Sequence, residues 1–107
     1  MSKKSAVVAK YHRIRMTDEL RALVLSLPVR GLVEVTRGDH VYMGNGTVRV
    51  GAREHPARVL IREDGGCMGL EVEAPTAGLR ILCPFDSEEE RARAPDEVAE
   101  AVRLCAS

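Results

Sequence analysis

Residues 41–50 read Val41-Tyr42-Met43-Gly44-Asn45-Gly46-Thr47-Val48-Arg49-Val50, and the way this stretch is divided decides the fold. Asn-Gly is the dipeptide best suited to a type I′ turn, whose two central residues both need positive φ. Taken as a two-residue loop, Asn45-Gly46 sets Met43 against Val48 and Val41 against Val50, with Tyr42 facing Arg49 on the other side. Apolar residues then meet apolar ones, the condition that fixes register where one face is buried.

Working outward, residues 32–36 form the preceding strand and join through Arg37-Gly38-Asp39. A three-residue loop with Gly38 in the left-handed region aligns Val35 with Val41 and Val33 with Met43. After a connection over 51–56, residues 57–63 and 67–74 flank Asp64-Gly65-Gly66 and pair as a second hairpin. The loop 75–78 returns the chain so that Val72 faces Ile81 and Glu73 faces Arg80. Residues 5–11 are the candidate for a sixth strand.

Helices bracket these strands. Thr17 can cap a helix over 17–27, with Asp18 and Glu19 in its first turn and Pro28 at its end. Leu20, Leu23, Val24 and Leu27 repeat at i, i+3, i+4 and i+7, one stripe facing a core. Ser87-Glu88-Glu89-Glu90 matches the capping box, and Pro95 can restart or kink the helix that follows over 95–105. The expected architecture is α+β: an antiparallel five- or six-stranded sheet, built as two β-meanders, with an N-terminal and a C-terminal helix packed on one face. Its expected core joins Leu20, Leu23, Val24, Leu27, Val98 and Val102 of the helices to Val33, Val35, Val41, Met43, Val48, Val50, Val59, Ile61, Leu70, Val72, Leu79 and Ile81 of the sheet.

Composition sets the limits. With 107 residues, 45% apolar and 30% charged, the chain has the size of one domain and too many apolar residues for a disordered one. No apolar run approaches the roughly 18 residues of a membrane-spanning helix, and Met-Ser-Lys-Lys leads into no signal core. Three widely spaced cysteines, Cys67, Cys83 and Cys105, fit reduced thiols in a cytoplasmic protein. The sixteen basic and sixteen acidic residues balance, but unevenly along the chain. Residues 1–15 carry Lys3, Lys4, Lys10, Arg13 and Arg15 with no acid, a basic arm ahead of a single domain over 16–107.

Catalytic and metal chemistry find little to stand on. His12, His40 and His55 belong to no recognised constellation, and His55 beside Glu54 is the best acid–base pair available. No Cys-x-x-Cys or His-x-x-x-His occurs, and Gly44-Asn45-Gly46 lacks the strand–loop–helix setting of a phosphate cradle. Neither a metal nor a cofactor is expected.

The sheet face away from the helices is more informative. Arg49, Arg58, Arg62 and Arg80 are expected there with Tyr42, and Leu32, Leu60 and Leu82 join them. Apolar, arginine and tyrosine side chains together are the mixture found at the centres of protein interfaces. The expected function is therefore a small non-enzymatic protein-binding module: a subunit, adaptor or inhibitor, by analogy with phage- and plasmid-type antagonists. Tyr42, Arg49, Leu60, Arg62 and Leu82 are its expected contacts, to a larger protein or a second copy. The alternative is nucleic-acid binding through Lys3, Lys4, Lys10, Arg13, Arg15 and Arg58, with the same arginine and tyrosine face. Glu71 and Glu73 count against it, since cross-strand pairing with Arg58 and Arg80 neutralises part of the charge.

Overall fold

The computed structural model describes residues 17–37 and 41–106, without the side chains of residues 35–37, 41–43, 63 and 64. The arm over 1–15, and the candidate strand 5–11 within it, lie outside the described residues. Helix α1 spans Asp18–Leu25 and is capped as expected, Thr17 Oγ1 accepting from the Leu20 amide at 3.1 Å. Five strands follow: β1 (Arg30–Arg37), β2 (Val41–Val50), β3 (Arg53–Asp64), β4 (Cys67–Ala74) and β5 (Leu79–Pro84). They form one antiparallel sheet in the order of the chain. Helix α2, Glu88–Cys105, closes the fold, and its capping box between Ser87 and Glu90 is complete.

The expected sheet and helices are present, but the first half of the sheet takes a different path. Gly44, Asn45 and Gly46 lie inside β2, a single ten-residue strand. None of the three has positive φ, so the type I′ turn is absent. The reversal comes at Gly51-Ala52, between the paired Val50 and Arg53, with Gly51 at φ 62°. The expected connection over 51–56 therefore belongs mostly to β3. Pro56 is tolerated there because it lies beyond the last β4 pairing, at Arg58–Glu73, where β3 has one ladder neighbour.

The glycine at 46 answers a different need. In β1, Gly31 (φ 61°) and Leu32 together oppose Gly46, a bulge between the pairs Arg30–Thr47 and Val33–Asn45. The bulge brings the Arg30 carbonyl oxygen within 2.6 Å of where a Cβ on residue 46 would sit. Only glycine fits that approach.

A continuous β2 also changes which residues face the core. Without a turn between them, Met43 and Val48 occupy opposite faces. Val48 is fully buried, whereas Val33, expected inside, is 64% exposed. Val35 pairs with Met43 rather than Val41, and both follow Val33 to register positions of the open face. Leu32 moves the other way, since the bulge turns it toward the core cluster. That cluster joins Leu20 and Val24 of α1, Ala94 and Val98 of α2, and Val59, Ile61, Leu70 and Val72 of the central strands. Phe85, absent from the expected core, is among its largest fully buried side chains, with the Arg91 guanidinium 5.9 Å from the ring centre. Both helices cover the same face of the sheet. Among the described residues no helix lies over the other face.

Candidate functional site: the open face of the sheet

Residues that stand opposite one another in an antiparallel ladder share a face, so the register reads as rows across the sheet. The central open-face row runs through positions Val35, Met43, Leu60, Glu71 and Leu82. It spans about 19 Å, four inter-strand spacings. On one side lies the row Val33, Asn45, Arg58, Glu73 and Arg80; on the other lie Arg62, Gly69 and Pro84. Among the described side chains the midline is thus aliphatic, Leu60 and Leu82, interrupted by the Glu71 carboxylate, with arginines along both margins.

That carboxylate is unusual. Glu71 is buried between Leu60 and Leu82 on a face that no described helix covers, its side chain only 6% exposed. Arg80 Nε donates to Glu71 Oε2 at 2.8 Å, and Arg62 Nη2 lies 4.0 Å from Glu71 Oε1. One guanidinium comes from each margin, so the charge is neutralised from both sides. The carboxylate raises the pKa of Arg80 further above its already high ordinary value, first through the hydrogen bond and then through charge. Arg58 pairs with Glu73, directly opposite it. Toward the β2–β3 turn, Glu54 accepts from the Thr47 hydroxyl at 3.1 Å and sits 4.0 Å from Arg30 Nη1.

Among the described side chains the open face carries five arginines (Arg30, Arg49, Arg58, Arg62 and Arg80) and three glutamates (Glu54, Glu71 and Glu73). The remaining described side chains hold ten acids against five arginines. The open face is therefore the basic side of an otherwise acidic body. The arginines also lie uppermost: Arg80 is 64% exposed above the sequestered Glu71, and Arg58 stands further out than Glu73. Leu82 is 56% exposed among them and Leu60 half-buried.

Of the residues expected from sequence to meet a partner, Arg49, Leu60, Arg62 and Leu82 share this face, as does Arg58. Tyr42 does not join them. Its backbone pairs with Ile61, a position of the helix-covered face, and its side chain lies outside the described residues. Lys3, Lys4, Lys10, Arg13 and Arg15 also lie outside them, as do His12 and His40. Sequence reasoning missed Glu71 as a buried centre, Val33 as an exposed one and Gly69 as a gap in a margin. The alternation Gly69, Glu71, Glu73 was there to be read, but its burial depends on both neighbouring strands.

His55 and Glu54 are adjacent in β3 and so belong to opposite faces. His55 Nδ1 lies 2.9 Å from the Thr76 hydroxyl in the short 3-10 helix Pro75–Ala77, while Glu54 serves the other side, so the two form no acid–base dyad. Cys67 and Cys105 are exposed. Cys83 is buried, and burial, with the nearby Glu97 carboxylate, pushes its thiol up to about 11. Among the described residues no cluster of three or more His, Cys, Asp or Glu could hold a metal ion. No helix among them is long and apolar enough to cross a membrane. Comparison with protein-family models, curated proteins and solved structures yields no match.

Proposed function

We propose that this chain is a non-enzymatic protein-binding module, a subunit, adaptor or inhibitor that acts by occupying a partner's surface with the open face of its sheet. The observation that carries this reading is a pair of exposed aliphatic side chains on this face, set among arginines where no described helix covers the sheet. They are Leu82 on β5 and Val33 on β1, at opposite edges of the sheet with half-buried Leu60 between them. Burying such residues against a partner yields hydrophobic free energy, and arginine margins supply orientation and charge recognition. The basic arm over 1–15 adds long-range attraction toward an acidic surface.

Nucleic-acid binding is the competing reading, favoured by the outward guanidinium groups. Single-strand binders also need rings on which bases stack. No described side chain of the open face is aromatic, and position 42 belongs to the other face. An aliphatic midline gains nothing from phosphate.

The test is affinity capture from nuclease-treated lysate with the tagged full chain and with Leu82→Glu. One protein captured at fixed stoichiometry, and lost with Leu82→Glu, is the expected result. Capture that disappears on nuclease treatment supports the nucleic-acid reading, and capture indifferent to Leu82→Glu removes the open face from consideration.

A further inference from the structure

Resting on that reading, we infer that the partner presents an acidic segment bearing an apolar side chain, which seats in a gap in the open face above Gly69.

Gly69 stands in register between Arg62 of β3 and Pro84 of β5, one open-face position along β4 from Glu71. Nothing among the described residues requires a glycine there. Its φ is not positive, and a Cβ at this position would meet only the Cys83 carbonyl oxygen, at an ordinary 4.0 Å. Gly46 is the contrast, since the backbone of β1 occupies the space of its missing side chain. Position 69 thus contributes no side chain beside the midline, and its register neighbours across the ladder are Arg62 and Pro84. An apolar side chain inserted there adds its buried area to that of Leu60 and Leu82.

Charge selects what surrounds that anchor. The carboxylates of the face are drawn beneath the guanidinium groups, so an approaching surface meets Arg58, Arg62 and Arg80 before it meets Glu71 or Glu73. Acidic groups flanking the anchor find the exposed guanidinium groups of Arg58 and Arg80. A second copy offering the same face brings the same positive surplus and is repelled. Nucleic acid offers the negative charge but no aliphatic group for the gap.

The experiment uses a displayed library of random peptides of about 16 residues, long enough to cross the row whether extended or helical. It is selected on the immobilised full chain, and enriched peptides are then titrated against the parent, Gly69→Val and Leu82→Glu. Gly69→Val places a side chain suited to a strand at this position and is expected to melt within a few degrees of the parent. Enriched peptides are expected to be acidic with at least one large apolar residue. They are expected to weaken about tenfold or more against Gly69→Val, and to weaken as salt rises. Neutral or basic enrichment, affinity unchanged by Gly69→Val, displacement by oligo-dT or failure to enrich any peptide overturns the inference. If enriched peptides of other chemistry are still lost with Leu82→Glu, the docking face stands and only its acidic partner is withdrawn. If they are indifferent to both substitutions, the docking face falls as well.

Discussion

Arg80 reaches past the residue directly opposite it. Its ladder partner is Glu73, yet its Nε donates at 2.8 Å to Glu71, two residues away along β4. Glu73 is already taken from the other side by Arg58. The two carboxylates of β4 are thereby shared among three arginines from both flanking strands, with Arg62 approaching Glu71 as the third. Such interlocking fixes the register of β3, β4 and β5 through charge as well as through packing.

The arrangement predicts an asymmetry in mutational cost. Removing both guanidinium groups, Arg62→Ala with Arg80→Ala, leaves Glu71 buried without a counter-charge and is expected to lower the melting temperature clearly. Adding Glu71→Leu to that pair removes the stranded carboxylate and is expected to restore most of the loss. A thermal melt in which the triple variant is less stable than the double contradicts the account.

Two glycines of one sheet are expected to respond in opposite ways. Gly46→Ala drives a Cβ to 2.6 Å from the Arg30 carbonyl oxygen and 2.9 Å from Val29 Cγ1. Overpacking of this kind costs about 1–3 kcal/mol. Gly69→Ala meets no obstruction and is expected to change stability by no more than about 0.5 kcal/mol. Urea unfolding of the two variants checks both values at once.

Cys83 predicts an alkaline limit. Its thiol is raised from 9.0 to about 11 by burial first and then by Glu97. Between those values the folded chain keeps a proton that the unfolded chain has released, so stability is full below pH 9.0 and falls as pH rises toward 11. Cys83→Ala is expected to flatten that fall in chemical denaturation series. Iodoacetamide at pH 8 is expected to modify Cys67 and Cys105 in the native protein and Cys83 only after unfolding, as mass spectrometry of the intact chain shows.

The capping box of α2 predicts an acid limit. The Glu90 carboxyl is lowered first by the backbone amide of Ser87 and then by that of Asp86. Its stabilising contribution is present above the ordinary carboxylate value of 4.5 and is lost as pH falls through the lowered folded value. Ser87→Ala, which removes the reciprocal bond to the Glu90 amide, is expected to cost about 1 kcal/mol at neutral pH. Glu90→Gln is expected to remove the corresponding acid-side slope from the pH–stability curve.

Much of the fold is legible in local signals. Thr17 and the Ser87–Glu90 pair announce the helix starts, and Gly65-Gly66, at φ 60° and 88°, marks the β3–β4 turn. The pairings of Val72 with Ile81 and Glu73 with Arg80 follow from alternation alone. Asn45-Gly46 misleads because the reason for that glycine lies elsewhere, in a bulge of the neighbouring strand at Gly31 and Leu32. No property of residues 41–50 taken alone separates a glycine that turns the chain from one that yields to another backbone. The error carries over to the candidate site, because parity along β2 decides which face each residue joins. Arg49, Leu60, Arg62 and Leu82 hold their expected face, but Tyr42 and Val33 exchange sides. The burial of Glu71 is legible only when two arginines from different strands are placed together.

The irregularity at Gly31 and Leu32 has an effect at the sheet's margin. Among the described strands β1 is outermost, and a straight outermost strand offers unpaired amide and carbonyl groups to any extended chain that drifts alongside. Here that template is broken near its start, and at the opposite border Pro84 withdraws a donor from β5. The protein is thereby discouraged from adding strands edge to edge into growing ribbons of its own kind.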